Sequence, residues 1–282
     1  MKRLTPLGIR DLVPEETQHR QQLVQSMSKT FETQGYQHIQ TPTLEFSEAL
    51  GVGMGPQFKH TAIQFFDPSG QLLVLRPDHT IPIARLVATR MQNAALPLKL
   101  YYSDAVFRQP VNVFEQDIET FQSGVELIGA EGPQAEAELI HLMILTLQNL
   151  GVKDFGIDIG HTDFITTLPK DKKEALVKGD YLNLGYIPKR GKEEVIANTP
   201  SLTHVYTYLK SHKLDHYVHF NQGLVKELHY YTGLIFECYI PSVRQSVGSG
   251  GRYDTLMEKF GFKCPAIGFA FNLNRLSQWK SQ

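Results

Sequence analysis

Cysteine is almost missing from this chain of 282 residues: there are two, Cys238 and Cys264. Two thiols cannot make a disulfide framework and their spacing fits no zinc pattern, so a reduced, cytoplasmic setting is expected, with both as small core residues. Excess charge is missing too. Lys and Arg total 28 against 29 Asp and Glu, leaving −1, and a chain without a net field binds nucleic acid only through a local basic patch. Long apolar runs are absent: the longest uncharged, mostly apolar segment, Leu139 to Val152, contains His141, Gln148 and Asn149 and falls short of the roughly 20 residues that span a bilayer. The basic start at Lys2 and Arg3 is interrupted by Pro6, Arg10, Asp11 and Pro14 before a signal peptide could form. No export and no membrane partner are expected. Gly (22) and Pro (15) stay near average usage, which disfavours collagen and disorder. No Gly-x-Ser-x-Gly elbow occurs, so nucleophilic hydrolysis has no support.

What is present is a core-sized hydrophobic fraction of 41% arranged in alternating patterns. Leu23, Val24, Met27 and Phe31 recur at helical spacing after Pro14, and Gly35 stands where a left-handed terminating residue is wanted. Tyr36 to Gln40 is extended. Gly51-Val52-Gly53-Met54-Gly55-Pro56 lacks the Lys-Ser/Thr of a phosphate loop and predicts a flexible loop. Ile63 to Phe66 and Gln71 to Leu75 flank the turn Asp67-Pro68-Ser69-Gly70 and predict a hairpin. A helix is expected from Asp78 to Met91, with Pro82 in its first turn. Extended stretches follow at Leu98 to Tyr102, Ala105 to Arg108 and Thr120 to Ile128, then a helix from Pro133 to Leu150. Phe155 to Ile159 alternates as a strand. Residues 165 to 216, lysine-rich and broken by Gly and Pro, predict a small helical insertion in an otherwise single domain spanning 1–282. Strands at His229 to Ile240 and Pro265 to Phe271 and a last helix, Asn272 to Trp279, complete the chain. Hairpins outnumber strand-helix-strand units, which points to an α+β fold, an antiparallel sheet flanked by helices.

Two short segments carry candidate chemistry. Leu75-Arg76-Pro77-Asp78-His79-Thr80 places an acid and a hydroxyl at a strand-to-helix junction, where they either cap the helix or accept hydrogen bonds from an ammonium group. Thr120-Phe121-Gln122-Ser123-Gly124-Val125-Glu126 puts Gln122, Gly124 and Glu126 on one strand face, either a solvated surface or a small polar pocket. His212, His216 and His219 are spaced for one helical face, but Asp215 to His219 also alternates as a strand, and no metal site is expected.

Several motifs resemble those of histidyl-tRNA synthetases, in the family's order and from residue 5 to about 276. Tyr230-Tyr231-Thr232-Gly233-Leu234-Ile235-Phe236-Glu237 and Gly250-Gly251-Arg252-Tyr253-Asp254 resemble the histidine-specific motifs. Pro265 to Phe271 with Arg275 is similar to the third class II motif, Phe107-Arg108 with Phe121 to Glu126 to the second, and Gly35 to Glu45 to the first, which in that family forms the dimer interface. Pro6-Leu7-Gly8-Ile9-Arg10-Asp11 also fits. The resemblance implies a class II synthetase-like fold. It also implies a histidine-binding set in which Asp78, Thr80 and Gln122 take the α-ammonium, Arg108 the carboxylate, and Glu126 with Tyr231 the imidazole, while Tyr230 and Tyr253 complete the pocket.

Departures from the family bear on function. Residues 109 to 120 contain no Lys or Arg and include Glu115, Asp117 and Glu119, where the synthetases carry groups that hold ATP and the tRNA end. Repulsion from a triphosphate is worth about 1 kcal/mol per charge pair at about 4 Å in water, and more when desolvated, so adenylation is expected to fail. Lys226, Glu227 and His229 stand where the family has an arginine, a glycine and an aspartate, and lysine lacks the planar two-point fork. Asn274 replaces the acid before Arg275, and no anticodon-binding domain is expected within the 282 residues. A retained histidine pocket without nucleotide machinery resembles the family of ATP phosphoribosyltransferase regulatory subunits. That family implies a non-catalytic, cofactor-free protein that forms a homodimer and joins a short-form catalytic phosphoribosyltransferase in a hetero-oligomer. L-histidine is its feedback effector, and tRNA is not a partner. Two alternatives remain at this level: a minimal histidyl-adenylate-forming enzyme, favoured by Arg108, Gly268 and Arg275, and an assembly scaffold with a relic pocket.

Overall fold

The computed structural model describes residues 4–54, 58–110, 117–166, 168–177, 180–224 and 231–279. Its strands are β1 (Gln37–His38), β2 (Leu44–Phe46), β3 (Gln64–Phe66), β4 (Leu72–Leu75), β5 (Leu98–Phe107), β6 (Glu119–Ile128), β7 (Gly156–His161), β8 (Arg190–Gly191), β9 (Val218–Asn221), β10 (Leu234–Tyr239), β11 (Gly248–Arg252) and β12 (Ala266–Asn272). Among the described residues these form a large sheet ordered β1-β5-β6-β12-β11-β10-β7-β9-β8 and a small sheet ordered β2-β4-β3. Pairing is antiparallel throughout except at β1–β5 and β7–β9. The expected α+β architecture is therefore observed, with a sheet that is mixed only towards its edges.

Helices cover both faces. On one side Pro14–Thr33, Gly132–Asn149 and Pro200–Ser211 pack over Val125, Leu127, Phe236, Phe269 and Phe271. The first of these starts with a proline in its first turn and Glu15 and Glu16 beside it, which suits the unpaired N–H groups there. It ends as the sequence predicts: Gly35 takes φ +83, and Tyr36 N donates back to Phe31 O at 3.1 Å, the bond pattern of a left-handed helix stop. On the other side Ser47–Met54, Thr80–Arg90 and Asp254–Glu258 contribute a second core with Leu50, Val74, Ile81, Tyr102 and Leu256. Alternation along β6 thus sends Val125 and Leu127 into the first core and leaves Gly124 and Glu126 to the second side.

The sequence expectations hold for the hairpin β3–β4, paired with Phe66 opposite Leu72, and for the helices near 80–90 and 132–149. Others need correction. The glycine-rich stretch is not a loop through Met54: Ser47–Met54 is helical, because Gly53 lets the helix approach Ile81, whose Cδ1 would stand 2.7 Å from any added Cβ. Gly55 and Pro56 lie outside the described residues. Leu98 to Tyr102 and Ala105 to Arg108 are one continuous strand, β5, since its partner β6 runs unbroken opposite both. The final helix is shorter than expected, Leu273–Leu276. Within 165 to 216, short helices do occur, but β8 pairs with β9, and Pro200–Ser211 buries Leu202, Val205 and Leu209 in the first core.

Candidate functional site

Four segments converge over the second side of β6. Arg76 directs the first of them: it is 1% exposed, and its guanidinium donates to Thr41 O at 2.7 Å and Ala105 O at 2.8 Å while pairing with Asp104 at 2.6 Å. This fixes the turn that leaves β4, so that Pro77, Asp78 and Thr80 face β6. Asp78 is buried. Its Oδ1 accepts from Ile81 N at 3.2 Å, so the capping reading is correct for that oxygen. Its Oδ2 is also buried and accepts no hydrogen bond among the described residues. Burial raises the Asp78 pKa, while the Arg108 guanidinium and the Ile81 N–H act to lower it. Arg108 leaves the end of β5, and its Nε donates to Pro77 O.

Glu126 lies at the centre. Its Oε1 accepts from Thr80 Oγ1 at 2.8 Å, and its Oε2 accepts from the Tyr253 hydroxyl. Enclosure pushes the Glu126 pKa up to about 8; these two hydrogen bonds act against the rise and the neighbouring Asp78 adds to it. At neutral pH the carboxyl therefore holds its proton until a ligand group favours the ionised form. Tyr253 is held in place by Arg252, which pairs with Glu136 at 2.6 Å and with Asp254 at 3.1 Å. Tyr231 is enclosed as well: burial and the carboxylates of Glu126 and Asp78 raise its pKa.

The floor of the site is made of glycines in register. Glu126 stands opposite Gly268 across β6 and β12, and Gly268 opposite Gly251 across β12 and β11. An added Cβ at Gly268 would overlap Glu126 Oε2, and one at Gly251 would meet the Tyr231 ring at 2.7 Å. Glu126 and Tyr231 thus each lie across a glycine, a close approach that only a residue without Cβ permits.

Of the residues expected from the sequence, Asp78, Thr80, Arg108, Glu126, Tyr231 and Tyr253 converge, and Gln122 shares the face of Glu126, opposite Asp104 and Asn272. Tyr230 lies outside the described residues, as do Lys226, Glu227, His229 and Glu115. The His212 ring packs at a tilt against Tyr208 and that of His216 against Tyr217, whereas His219 sits in β9, so the three histidines do not share one helical face. Where the family's acid is replaced, Asn274 Nδ2 donates to Asp117 Oδ2 at 3.2 Å and Glu119 O at 3.0 Å. Arg76 was not legible as a site residue, and Gly251 and Gly268, although they stand in the family-like motifs, were not legible as the floor beneath Tyr231 and Glu126. Their signal is register between distant strands, which no local pattern carries.

Comparison with known proteins agrees with this fold. A family model described as histidyl-tRNA synthetase matches residues 8–178 and 188–276. A protein named ATP phosphoribosyltransferase regulatory subunit, from Halothermothrix orenii, is 33% identical over 96% of this chain and 75% of its own length. One of the same name from Moorella thermoacetica is 33% identical over 96% of this chain and 80% of its own. A crystal structure described as an ATP phosphoribosyltransferase regulatory subunit/histidyl-tRNA synthetase from Bacillus halodurans superimposes with a TM-score of 0.88 at 30% identity, covering 99% of this chain and 83% of that one.

Proposed function

We propose, from the premise that this chain belongs to the histidyl-tRNA synthetase family and, within it, to the ATP phosphoribosyltransferase regulatory subunits, that it binds L-histidine in the Glu126 pocket and regulates a catalytic phosphoribosyltransferase. It acts in histidine biosynthesis as a regulatory subunit and performs no catalysis of its own.

One observation carries the ligand assignment: a buried carboxylate oxygen, Asp78 Oδ2, that accepts no hydrogen bond among the described residues. A buried acceptor of this kind costs about 1–3 kcal/mol unless a donor meets it, and an α-ammonium supplies that donor together with a positive charge. Arg108, two-pronged and beside Asp78, suits the α-carboxylate. Glu126 suits an imidazole N–H: the heterocycle delivers a donor, or as imidazolium a full charge, to a carboxyl that is otherwise reluctant to ionise. Asp78, Thr80 and Gln122 thus take the ammonium end, Arg108 the carboxylate, and Glu126 with Tyr231, Tyr230 and Tyr253 the imidazole end.

Adenylation is disfavoured by the same chemistry. Asp117 and Glu119 add negative charge where a triphosphate would need positive groups, and Asn274 holds that segment against the last helix. The protein works as a homodimer, and the small sheet supports this reading. Leu44, Phe46, Leu73, Leu75 and Phe65 stand opposite one another on one of its faces, with Phe46 56% exposed. Contiguous apolar surface of this kind marks a protein contact, and it continues the Gly35 to Glu45 segment. The short-form catalytic subunit is the hetero-oligomeric partner, and histidine tunes it by binding the activity states of the complex with unequal affinity.

The test is calorimetry with free histidine, followed by phosphoribosyltransferase activity of the co-purified complex with and without histidine. Binding of histidine together with histidine-dependent inhibition of the complex is the expected result. Histidine-dependent pyrophosphate exchange by the chain alone, or a partner indifferent to its presence, overturns the proposal.

A further inference from the structure

Arg76 also supports a second pocket, one that the histidine reading does not use. Residues 40–43 form one wall of it, and Arg85, Leu86 and Arg90 of the helix Thr80–Arg90 form the other, around a cavity of about 410 Å³. Cavities of this size take small molecules. Arg76 fixes the first wall: its guanidinium donates to Thr41 O at 2.7 Å and its backbone N–H to Thr43 O at 2.9 Å. Two buried polar atoms of the lining residues are unmet. Thr41 is 5% exposed, and neither its hydroxyl oxygen nor Arg85 Nε has a hydrogen-bond partner among the described residues. Buried polar groups in that state are rare and costly unless a ligand meets them. Arg85 is held at Nη2, which donates to Glu45 Oε1 at 2.6 Å. Arg90 is exposed, and its guanidinium meets no carboxylate among the described residues.

The charge balance selects an anion: Arg85 and Arg90 against Glu45 leave one net positive charge at the walls. A place in the last helical turn accounts for a cation at Arg90 through the carbonyl end of the helix, but Arg85 stands mid-helix. The donor set then distinguishes among anions. A carboxylate has two oxygens, which a single guanidinium fork fills. Here two guanidiniums, the hydroxyls of Thr41 and Thr43 and the Gln40 amide line one cavity, a set that matches the three terminal oxygens of a phosphate monoester. We infer that this pocket binds a small phosphate monoester, its phosphoryl oxygens held by Arg85, Arg90 and the Thr41 hydroxyl and its organic part against Pro42 and Leu86. The inference stands on these residues alone and does not depend on what the Glu126 pocket binds. Because β2 begins at Leu44, directly after the first wall, the pocket borders the face proposed for assembly, and a carboxylate from a second copy is the competing occupant.

The experiment is calorimetry on the full chain, titrating glycerol 3-phosphate, with glycerol and acetate as controls, into the parent, Arg90→Gln, Thr41→Val and Arg108→Gln. The parent is expected to bind glycerol 3-phosphate, more weakly as salt is raised, and to bind acetate and glycerol at least about tenfold less tightly. Arg90→Gln, at an exposed position, should weaken phosphate binding at least about tenfold. Thr41→Val keeps the shape of the side chain and should weaken it between about threefold and about tenfold, while Arg108→Gln leaves it intact. Should Thr41→Val fail to fold, the phosphorus resonance of glycerol 3-phosphate serves instead: it is expected to shift with the parent and not with Arg90→Gln. No binding by the parent, acetate bound as tightly as the phosphate, or an affinity that survives Arg90→Gln overturns the inference. An affinity lost in Arg108→Gln would place the anion in the Glu126 pocket and overturn it too. Sedimentation identifies the competing occupant: a dimer that Arg90→Gln splits into monomers, with no phosphate bound by the parent, assigns the pocket to a carboxylate of the second copy. A parent that binds glycerol 3-phosphate but not histidine upholds this inference and defeats the histidine reading.

Discussion

Glu126 Oε2 lies over Gly268, one strand away, in the space where any other residue would carry its Cβ. The position of the central acid is thus decided by what a neighbouring strand leaves out. Gly268→Ala is expected to displace the carboxyl, abolish measurable histidine binding and lower stability by about 1–3 kcal/mol through overpacking, since the new methyl would also stand 2.7 Å from Val125 O. Calorimetry and urea denaturation check the two effects, and a variant that binds like the parent would refute the packing argument.

Stability should respond to the Glu126 proton. The unfolded carboxyl ionises near 4.5 and the folded one is pushed up to about 8, so between these values the folded chain holds more protons and stability falls as pH rises. Asp78, shifted upward by burial, acts in the same direction. Glu126→Gln removes one ionising group and is expected to flatten this fall. Denaturation midpoints across that range provide the check; identical slopes for parent and variant would contradict it.

Asp78→Asn separates two roles of one side chain. The amide oxygen can still accept from Ile81 N, which Asp78 Oδ1 now does at 3.2 Å, so the helix start should persist. The charge-assisted bond to the ligand ammonium is lost, and histidine affinity should fall at least about tenfold while the melting temperature holds. Unaltered affinity would remove Asp78 from the pocket.

The exposed face of the small sheet gives a test of assembly. Phe46→Glu places a charge among Leu44, Phe65 and Leu73 without entering the core, since Phe46 is 56% exposed. Sedimentation is expected to show the variant as a monomer at concentrations where the parent is a dimer. A variant that remains dimeric would place the interface elsewhere.

Arg76→Met keeps much of the side-chain volume but leaves Thr41 O, Ala105 O and Asp104 without the donors that now bind them. Removing one partner of a buried polar cluster is expected to cost about 3 kcal/mol, visible as a lower urea midpoint. Histidine affinity should fall with it, because the same guanidinium sets the turn that carries Asp78.

Local patterns were legible wherever the reason for an element is local. Gly35 announces its helix end because a left-handed residue is needed there, and Asp67-Pro68-Ser69-Gly70 announces a turn that closes with Gly70 N donating to Asp67 O at 3.0 Å. The glycine-rich segment near 51 to 54 misleads for the converse reason: its Gly53 meets Ile81, a partner distant in sequence, and composition alone suggests a loop. Ser103 and Asp104 likewise interrupt the apolar pattern of β5 without interrupting the strand, because backbone pairing to β6 continues through them.

The sequence by itself named the candidate groups of the site. Acid, hydroxyl, amide, guanidinium and phenol groups stand in motifs whose order resembles one family, and the absence of positive charge beside Asp117 and Glu119 argues against triphosphate chemistry. Tertiary structure alone decided how those groups act on one another. Thr80 and Tyr253 both turn to Glu126, Asp78 keeps one oxygen unmet, and Tyr102, Glu126 and Tyr231 cross glycines at 124, 268 and 251. The physical reason is register: hydrogen-bonded pairing of distant strands places residues side by side that no local period relates, and burial then sets the charge state of the acids they enclose.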